Sequence, residues 1–435
     1  MRSYARTLTA AAIALAAAIP ATAQTYVPTP ENLAARQKFA DSKFGIFLHW
    51  GLYAMFAQGE WYMTNENINC HEYAKSAAAF YPHNFDAAAW IAAIKASGAR
   101  YITFTSRHHE GFSMWDSQAS DYNIMHTPYG RDIVRQLADE CHKQGIGLHL
   151  YYSHLDWTRE DYPRGRTGLG TGRTGDKQGD WKSYYNFMNR QLTELLTGYG
   201  DIGAIWFDGW WDHDEDSIPF NWELEEQYAL IHRLQPACLV GNNHHQTPFP
   251  GEDIQIFERD VPGENKAGFS GQDISHLPLE TCQTMNGMWG YKIKDQNYKS
   301  VRTLVQLLVR TAGKGANLLL NIGPQPDGSL PAAALERLSG MGSWLATNGE
   351  SIYGTTGGEV TEGEAVVSTR KGELLYLHVL APGRDSVRFE TQQKVKRVSA
   401  FGSTTPLPFT QKRGTVEISF PCTPQDNTDY IIVVE

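Results

Sequence analysis

The sequence of 435 residues predicts an α/β fold, namely a (β/α)8-type TIM barrel followed by a small C-terminal β-sandwich. Strand-like and helix-like segments alternate from about residue 44 to residue 348, which is typical of parallel βα units. After about residue 349 the pattern changes to short alternating strands separated by Gly, Pro and charged turns, which is typical of a β-sandwich. Polar residues stand directly after the apolar strands, as they do at the mouth of a barrel enzyme.

Hydrophobic periodicity and helix-capping residues place the elements of the barrel. Asp86 is a favourable N-cap for an Ala-rich helix that Gly98 ends, and Gly145 ends the next helix. Strands are predicted over residues 44–49, 101–105, 146–152, 204–208, 239–241, 254–257 and 317–322. Helices are predicted over residues 86–98, 132–144, 182–197, 223–234, 299–312 and 331–347. The strand count is close to the eight of a TIM barrel, with an irregular second half.

The two ends of the chain differ from the barrel. Arg2 and Arg6 precede an apolar stretch, and Ala21-Thr22-Ala23 forms a small-residue cleavage site, so residues 1–23 are predicted to be a secretory signal peptide. We therefore expect an exported protein, periplasmic or secreted. The expected domains are the catalytic barrel over residues 24–348 and the β-sandwich over residues 349–435, with strands near 373–379, 386–390 and 415–420.

Composition excludes several functional classes. A formal net charge of -10 and the absence of a basic run argue against a nucleic-acid partner. No segment is long and apolar enough to predict insertion into a membrane. Five scattered cysteines support neither a disulfide framework nor a metal knuckle. In contrast, 12 Trp and 21 Tyr supply many flat, amphipathic surfaces suited to a sugar.

Four predicted strands end in polar or aromatic residues, which a barrel would bring to one mouth. The first ends at His49 and the second leads to His108-His109. Two adjacent imidazoles are suited either to bind a metal or to hydrogen-bond a polyhydroxylated ligand. The third strand contains Tyr151, and the fourth ends at Trp206-Phe207-Asp208.

Carboxylates at such a mouth suggest glycoside hydrolysis, which needs one carboxyl at the anomeric carbon and another to protonate the departing oxygen. Asp208 ends a hydrophobic strand, where an unpaired carboxylate would be expensive to bury. The sequence offers four candidates for the second carboxyl. Glu258 is preferred because it ends a strand-like run, and the others are Glu252, Glu264 and Glu280.

Five ordered motifs resemble the exo-acting α-L-fucosidases of glycoside hydrolase family 29. They are FGIFLHWG (residues 44–51), EWY (60–62), SRHHEGFSMW (106–115), WFDG (206–209) and NLLLNIGPQPD (317–327). The resemblance covers nearly the whole predicted mature chain. It implies a retaining hydrolase that removes terminal α-L-fucosyl residues from a fucosylated oligosaccharide or glycoconjugate through a covalent fucosyl-enzyme.

The resemblance also implies roles for individual residues. Asp208 matches the family nucleophile, Trp289 matches an aromatic residue beside the C5 methyl group of fucose, and Glu258 is preferred over Glu280 as acid/base. One departure stands out: where many relatives have Asn-Asp-Arg-Trp, this chain has Asn242-Asn243-His244-His245, so that Asn243, His244 or His245 would replace the arginine. Residues that match the sugar-binding set are His49, Glu60, Trp61, His108, His109, Tyr151 and Trp206.

Three alternatives remain open from the residues alone. A metal-dependent hydrolase would use His49, His108 and His109, but the HxH and HExxH spacings are absent. A non-catalytic fucose-binding protein would keep the pocket without needing the carboxylates. A related exo-glycosidase would act on an α-L-galactoside. We expect no cofactor and no metal, and the sequence predicts no oligomeric state.

Overall fold

A computed structural model of the protein describes residues 26–172 and 179–435. The predicted signal peptide lies outside the described residues. Eight parallel strands form one sheet and two antiparallel sheets follow, so the predicted barrel with a C-terminal β-sandwich is confirmed. The barrel strands are β1 (Phe44–Leu48), β2 (Tyr101–Arg107), β3 (Gly147–Ser153), β4 (Ala204–Asp208), β5 (Leu239–Asn242), β6 (Gln255–Glu258), β7 (Leu279–Thr284) and β8 (Asn317–Ile322).

The sheet runs in the order β5-β4-β3-β2-β1-β8-β7-β6, with β1 paired to both β2 and β8. Between β5 and β6 the described backbone forms only one isolated parallel bridge, from Gly241 to Ile254.

The buried side chain of Asp253 completes the seam between β5 and β6. Its Oδ2 accepts a hydrogen bond of 2.8 Å from the backbone N–H of Val240, a donor that would otherwise lack a strand partner. Arg36 donates to Oδ1 at 2.6 Å and His232 lies 2.9 Å from Oδ2. A carboxylate with these partners is stable in a buried position because each oxygen is hydrogen-bonded.

The helices form the outer layer. They are α1 (Pro30–Ser42), α2 (Tyr62–Asn65), α3 (Cys70–Ala74), α4 (Ala87–Ala96), α5 (Ile133–Gln144), α6 (Trp181–Gly198), α7 (Leu224–Leu234), α8 (Val301–Gly313) and α9 (Ala332–Asn348). Asp86 caps α4 by accepting from the Ala89 N–H at 3.0 Å, and Gly145 ends α5 at φ 73°, both as predicted. The described segments 243–254 and 259–278 contain no helix, which makes the second half irregular, also as predicted.

Four elements before the C-terminal domain were not predicted, namely strand β7 and helices α1, α2 and α3. Strand β7 has the sequence LETCQT, in which polar residues outnumber apolar ones, so its hydrophobic period is weak. Its Glu280 is nevertheless completely buried inside the barrel. Helix α1 closes the amino-terminal end of the barrel, where Phe39 packs on Tyr101 with ring centroids 5.4 Å apart.

The C-terminal strands form two antiparallel sheets around a separate apolar core that includes Leu377, Val416 and Ile432. Helix α8 of the barrel packs against this domain. Among the described residues, no helix is long and apolar enough to cross a membrane. The strands are β9 (Thr356–Gly357), β10 (Val366–Lys371), β11 (Leu374–Val379), β12 (Ser386–Glu390), β13 (Val398–Ala400), β14 (Phe409–Lys412), β15 (Thr415–Ser419) and β16 (Tyr430–Val434).

Candidate active site

A cavity of about 600 Å³ opens at the carboxyl ends of the barrel strands. A cavity of this size is suited to a small ligand such as a single sugar. The ten residues that the sequence favoured as catalytic or sugar-binding all line it, namely His49, Glu60, Trp61, His108, His109, Tyr151, Trp206, Asp208, Glu258 and Trp289.

Asp208 ends β4 and is surrounded by donors. Its Oδ1 accepts from the Gly209 N–H at 2.8 Å and from Trp211 Nε1 at 2.9 Å, while Oδ2 accepts from the Tyr151 hydroxyl at 3.0 Å. Burial and the nearby charge of Glu258 raise the pKa of Asp208 to about 6, against the opposing effect of these hydrogen bonds. The carboxyl is thus poised near neutral pH and is held in a fixed orientation.

Glu258 ends β6 and shares a partner with Asp208. The Asn243 side-chain nitrogen lies 2.9 Å from Glu258 Oε2 and 3.4 Å from Asp208 Oδ1. His245 Nε2 lies 3.1 Å from the same Glu258 oxygen. Burial raises the pKa of Glu258, but the hydrogen bond and charge of His245, with Asn243 and Arg259, outweigh burial and leave the pKa below its usual value.

The other three candidate carboxyls lie outside the cavity lining. Glu252 is buried and accepts from Tyr228 at 3.0 Å, and Glu264 pairs with Lys266 at 3.0 Å. Glu280 lies within the barrel, where it accepts from the Trp206 indole N–H at 2.9 Å. Glu258 is therefore the candidate that the fold brings to Asp208, and Glu280 supports the wall of the cavity.

Hydrogen bonding fixes the tautomers of His49 and His109. The Ser153 hydroxyl donates to the Leu155 carbonyl at 2.6 Å, so it must accept from His109 Nδ1 at 2.7 Å. Asn321 donates to the Trp289 carbonyl at 2.7 Å, so its oxygen accepts from His49 Nδ1, also at 2.7 Å. In the neutral form each ring therefore keeps an acceptor at Nε2.

Burial keeps these imidazoles neutral. It lowers the pKa of His49 to about 3, and it lowers the pKa values of His108 and His109 well below their usual range. The charges of His109 and His49 add to the effect on His108, and those of His49 and Arg107 add to the effect on His109. His109 Nε2 lies 3.6 Å from Asp208 Oδ2. In the neutral ring this nitrogen is a hydrogen-bond acceptor that lies close to the carboxylate. His108 stacks on Tyr151 with ring centroids 5.4 Å apart.

Aromatic rings also line the cavity. Trp206 stacks on Tyr151 with ring centroids 5.5 Å apart, and Phe47 packs against both Trp206 and Trp289. The Arg259 guanidinium lies over the Trp289 ring at 5.1 Å. The lining of the cavity thus combines hydrogen-bonding groups with apolar ring surfaces.

Glu60 and Trp61 come from the segment after β1, which is fixed to the segment between β7 and α8. The Gly59 N–H donates to the Tyr291 carbonyl at 3.0 Å, and the Gly290 N–H donates to Glu60 Oε2 at 2.7 Å. A Cβ at Gly290 would lie 3.0 Å from the Glu60 backbone nitrogen, so this close approach requires glycine.

The family model described as alpha-L-fucosidase matches residues 13–350 of this chain, which is most of its length. The chain belongs to the α-L-fucosidase family. It is therefore a glycoside hydrolase. The plasma α-L-fucosidase of Homo sapiens is 31% identical over 357 residues, which cover 75% of this chain and 72% of the human protein. The α-L-fucosidase of Dictyostelium discoideum is 29% identical over 77% of this chain and 75% of its own.

Solved α-L-fucosidase structures have the same fold. Isoenzyme 1 from Paenibacillus thiaminolyticus superposes with a TM-score of 0.81 at 31% identity, covering 93% of this chain and 99% of its own. The enzyme from Vibrio sp. strain EJY3 has a TM-score of 0.81 at 26% identity, covering 94% of this chain and 73% of its own. The agreement extends through both domains, because these shares exceed the length of the barrel.

Several cavity residues of this α-L-fucosidase family member were not singled out from the sequence. The only sequence feature that could have indicated Trp211 is its position two residues after the WFDG motif. Arg259 follows a predicted strand and has the pattern of an ordinary surface charge. Asn243 and His245 were named only as possible replacements for an arginine. The remaining lining residues are Phe47, Arg166, Thr167, Phe269, Cys282 and Met288.

A metal site is not evident. Within residues 26–172 and 179–435, no group of three or more His, Cys, Asp or Glu side chains is arranged to hold an ion.

Proposed function

We propose that the protein is an exo-acting, retaining α-L-fucosidase with Asp208 as nucleophile and Glu258 as acid/base. The observation that carries this assignment is that one Asn243 nitrogen lies within hydrogen-bonding distance of both carboxyls. The two oxygen atoms are thus closer together than the roughly 6.5 to 9.5 Å that separates the carboxyls of inverting enzymes. This supports direct attack by a carboxylate rather than by an intervening water molecule.

The proposed reaction has two steps. In the first, an Asp208 oxygen forms a bond to the anomeric carbon while the glycosidic C–O bond breaks, and Glu258 gives its proton to the departing oxygen. In the second, Glu258 takes a proton from water, the water oxygen bonds to the anomeric carbon, and the bond to Asp208 breaks. Hydrolysis returns both carboxyls to their starting states.

The proposed sugar position uses both the polar groups and the aromatic rings of the cavity lining. Hydroxyl groups of fucose would donate to Nε2 of His49 and His109, the acceptors that the hydrogen bonds to Asn321 and Ser153 leave available. Glu60, Trp61, His108 and Tyr151 are proposed to complete the polar side. Trp289 and Trp206 would face the C5 methyl group, and an α-L-galactoside would have to place a hydroxymethyl group there.

The assignment of Asp208 is tested by Asp208→Gly. We expect loss of hydrolysis of 4-nitrophenyl α-L-fucoside by at least about 10³-fold. Added azide should restore turnover and give the β-configured fucosyl azide, because azide enters from the face that the carboxylate has left. A variant that stays active, or one that azide does not restore, contradicts the assignment.

Glu258 is tested by leaving-group dependence. Glu258→Ala should lose about 10²-fold to 10⁴-fold in kcat/KM on a fucosyl disaccharide, because the departing alkoxide needs the proton. The loss on 4-nitrophenyl α-L-fucoside should be much smaller, since nitrophenolate departs without one. Glu280→Ala is the matched control, and the assignment to Glu258 is wrong if Glu280→Ala alone shows this pattern.

The export of the protein remains a proposal. It rests on residues 1–23, whose basic start, apolar stretch and small-residue site are typical of a secretory signal peptide. N-terminal sequencing of protein from the periplasm or medium should give a start near Gln24, and an intact N-terminus on an intracellular protein would oppose export.

A further inference from the structure

We propose that His245 is a positioning residue that holds one oxygen of the Glu258 carboxyl and leaves the other for proton transfer. The inference rests on the proposed function, because it concerns how the acid/base works.

The hydrogen bonds to the Glu258 carboxyl, within the described residues, involve one of its two oxygen atoms. His245 Nε2 at 3.1 Å and the Asn243 amide at 2.9 Å both lie on Oε2. Within the described ranges, Oε1 accepts no hydrogen bond. A carboxylic acid gives up its proton from one oxygen, so two donors on Oε2 favour placing the proton on Oε1. Because Glu258 lines the cavity, this is the oxygen available to a departing group.

The backbone around this contact is unusual. His245 has φ 62° and Arg259, the residue after Glu258, has φ 65°, so both occupy the left-handed region without being glycine. Strain of this kind clusters where a side chain must be held in one place. Phe269 packs on the His245 ring with centroids 5.4 Å apart and limits its movement.

A second anchor ties the neighbouring loop to the same strand end. The Ser270 hydroxyl donates to the Glu258 carbonyl at 2.9 Å, and the Ser270 N–H donates to Asn265 Oδ1 at 3.0 Å. The backbone next to Phe269 is therefore tied to Glu258. The loop after β5 and the loop after β6 thus meet at the His245 imidazole.

His245 also contributes charge when it is protonated. Its hydrogen bond and charge lower the pKa of Glu258, and its charge lowers that of Asp208. Loss of His245 should therefore raise the pKa values of both carboxyls and move both limbs of the pH profile to higher pH. The titratable groups that surround Glu258 from the neighbouring elements are Asp208, His245, Arg259, His49, Glu60 and Cys282.

The experiment compares His245→Ala and His245→Gln with the wild-type enzyme. The measured quantities are kcat/KM on a fucosyl disaccharide and on 4-nitrophenyl α-L-fucoside between pH 4 and 9. His245→Ala should lose about 10-fold to 100-fold on the disaccharide but much less on the nitrophenyl substrate. On the disaccharide, whose cleavage needs both carboxyls, both limbs of the pH profile should move up by about half a unit or more.

His245→Gln separates position from charge, because glutamine can donate a hydrogen bond but carries no charge. It should keep the leaving-group dependence of the wild-type enzyme while its pH profile still moves. His71→Ala removes a histidine whose side chain is 57% exposed, outside the cavity lining, and should change neither quantity. Thermal unfolding of each variant checks that the fold is intact.

The proposal is overturned if His245→Ala lowers both rates equally with no movement of either limb, because a merely structural residue would give that result. It is also overturned if His245→Ala matches the wild-type enzyme. Failure of the underlying function has a different signature: in that case Glu258→Ala itself shows no leaving-group dependence.

Discussion

Asp208 and its hydrogen-bond donors illustrate how single residues prepare this site. Trp211, Tyr151 and the Gly209 N–H all donate to one carboxyl, which favours its ionised form, while burial favours its neutral form. Burial prevails, and the pKa of the carboxyl rises to about 6. A nucleophile with such a pKa is ionised at neutral pH but is less stabilised than an exposed carboxylate.

This balance predicts the acidic limb of the pH profile. Asp208 must be ionised to attack, so kcat/KM on 4-nitrophenyl α-L-fucoside should fall as the pH drops through about 6, by about tenfold per unit below it. Trp211→Phe removes a donor that lowers this pKa and should move the limb to higher pH. A limb that stays in place in this variant would mean that another group controls it.

At the same scale, the sequence indicated the right residue types but not all their neighbours. His49, His108 and Asp208 stand at strand ends, where side chains converge whatever the details of the loops. Arg259 and His245 depend on left-handed backbone conformations in loops, which no hydrophobic period encodes. The contact of Trp211 depends on the turn at Gly209, whose φ of 97° directs the indole back to Asp208.

Strand β7 is an element that the sequence did not predict, because long-range partners stabilise it. Its LETCQT sequence has too few apolar residues to predict a buried strand, yet its Glu, Thr and Gln side chains each have a hydrogen-bond partner. Glu280 accepts from the Tyr101 hydroxyl at 2.6 Å and from the Trp206 indole at 2.9 Å. A buried strand can be polar when its hydrogen bonds are satisfied, and those partners lie far away in sequence.

Glu280 therefore offers a test of how β7 supports the cavity wall. Burial raises its pKa to about 7, so a neutral glutamine should substitute well, with its carbonyl accepting from Trp206 and its amide donating to Tyr101. Glu280→Leu leaves both partners unsatisfied and should lower the free energy of unfolding by about 2 to 6 kcal/mol. Urea denaturation measures the difference.

The kinetic result distinguishes support from acid/base catalysis. Glu280→Leu should lower kcat/KM by a similar factor on a fucosyl disaccharide and on 4-nitrophenyl α-L-fucoside, because Trp206 is displaced in both cases. Equal stability of the Leu and Gln variants would contradict the proposed supporting role.

At the scale of the whole molecule, the two domains are joined through helix α8. Gln306 donates to the carbonyls of Leu380 and Thr428 at 3.1 and 3.0 Å, so one side chain satisfies two acceptors of the C-terminal domain. Gly313 lies close to β10, where an added Cβ would meet Val367 at 3.2 Å. The sequence predicted both domains from their periodicities, but such a contact between them has no local signal.

Gln306→Ala tests whether the domains unfold together. Loss of both hydrogen bonds should destabilise the interface by about 1 to 3 kcal/mol and separate one calorimetric transition into two. Arg302→Ala is the control, since its contact with the Gln425 carbonyl at 3.0 Å is exposed and should contribute little. A single transition at the wild-type temperature in Gln306→Ala would show that other contacts couple the domains.

The seam between β5 and β6 has a consequence for the tendency of the protein to aggregate. A closed barrel has no free strand edge, but here a side chain, Asp253, stands in for part of the ladder, and Arg36 from α1 holds that side chain. Without Arg36, two strand edges with unpaired backbone groups would open, and such edges recruit other chains. We expect helix α1 to protect the protein against aggregation. The storage stability of the enzyme would then depend on a helix that lies far from the active site.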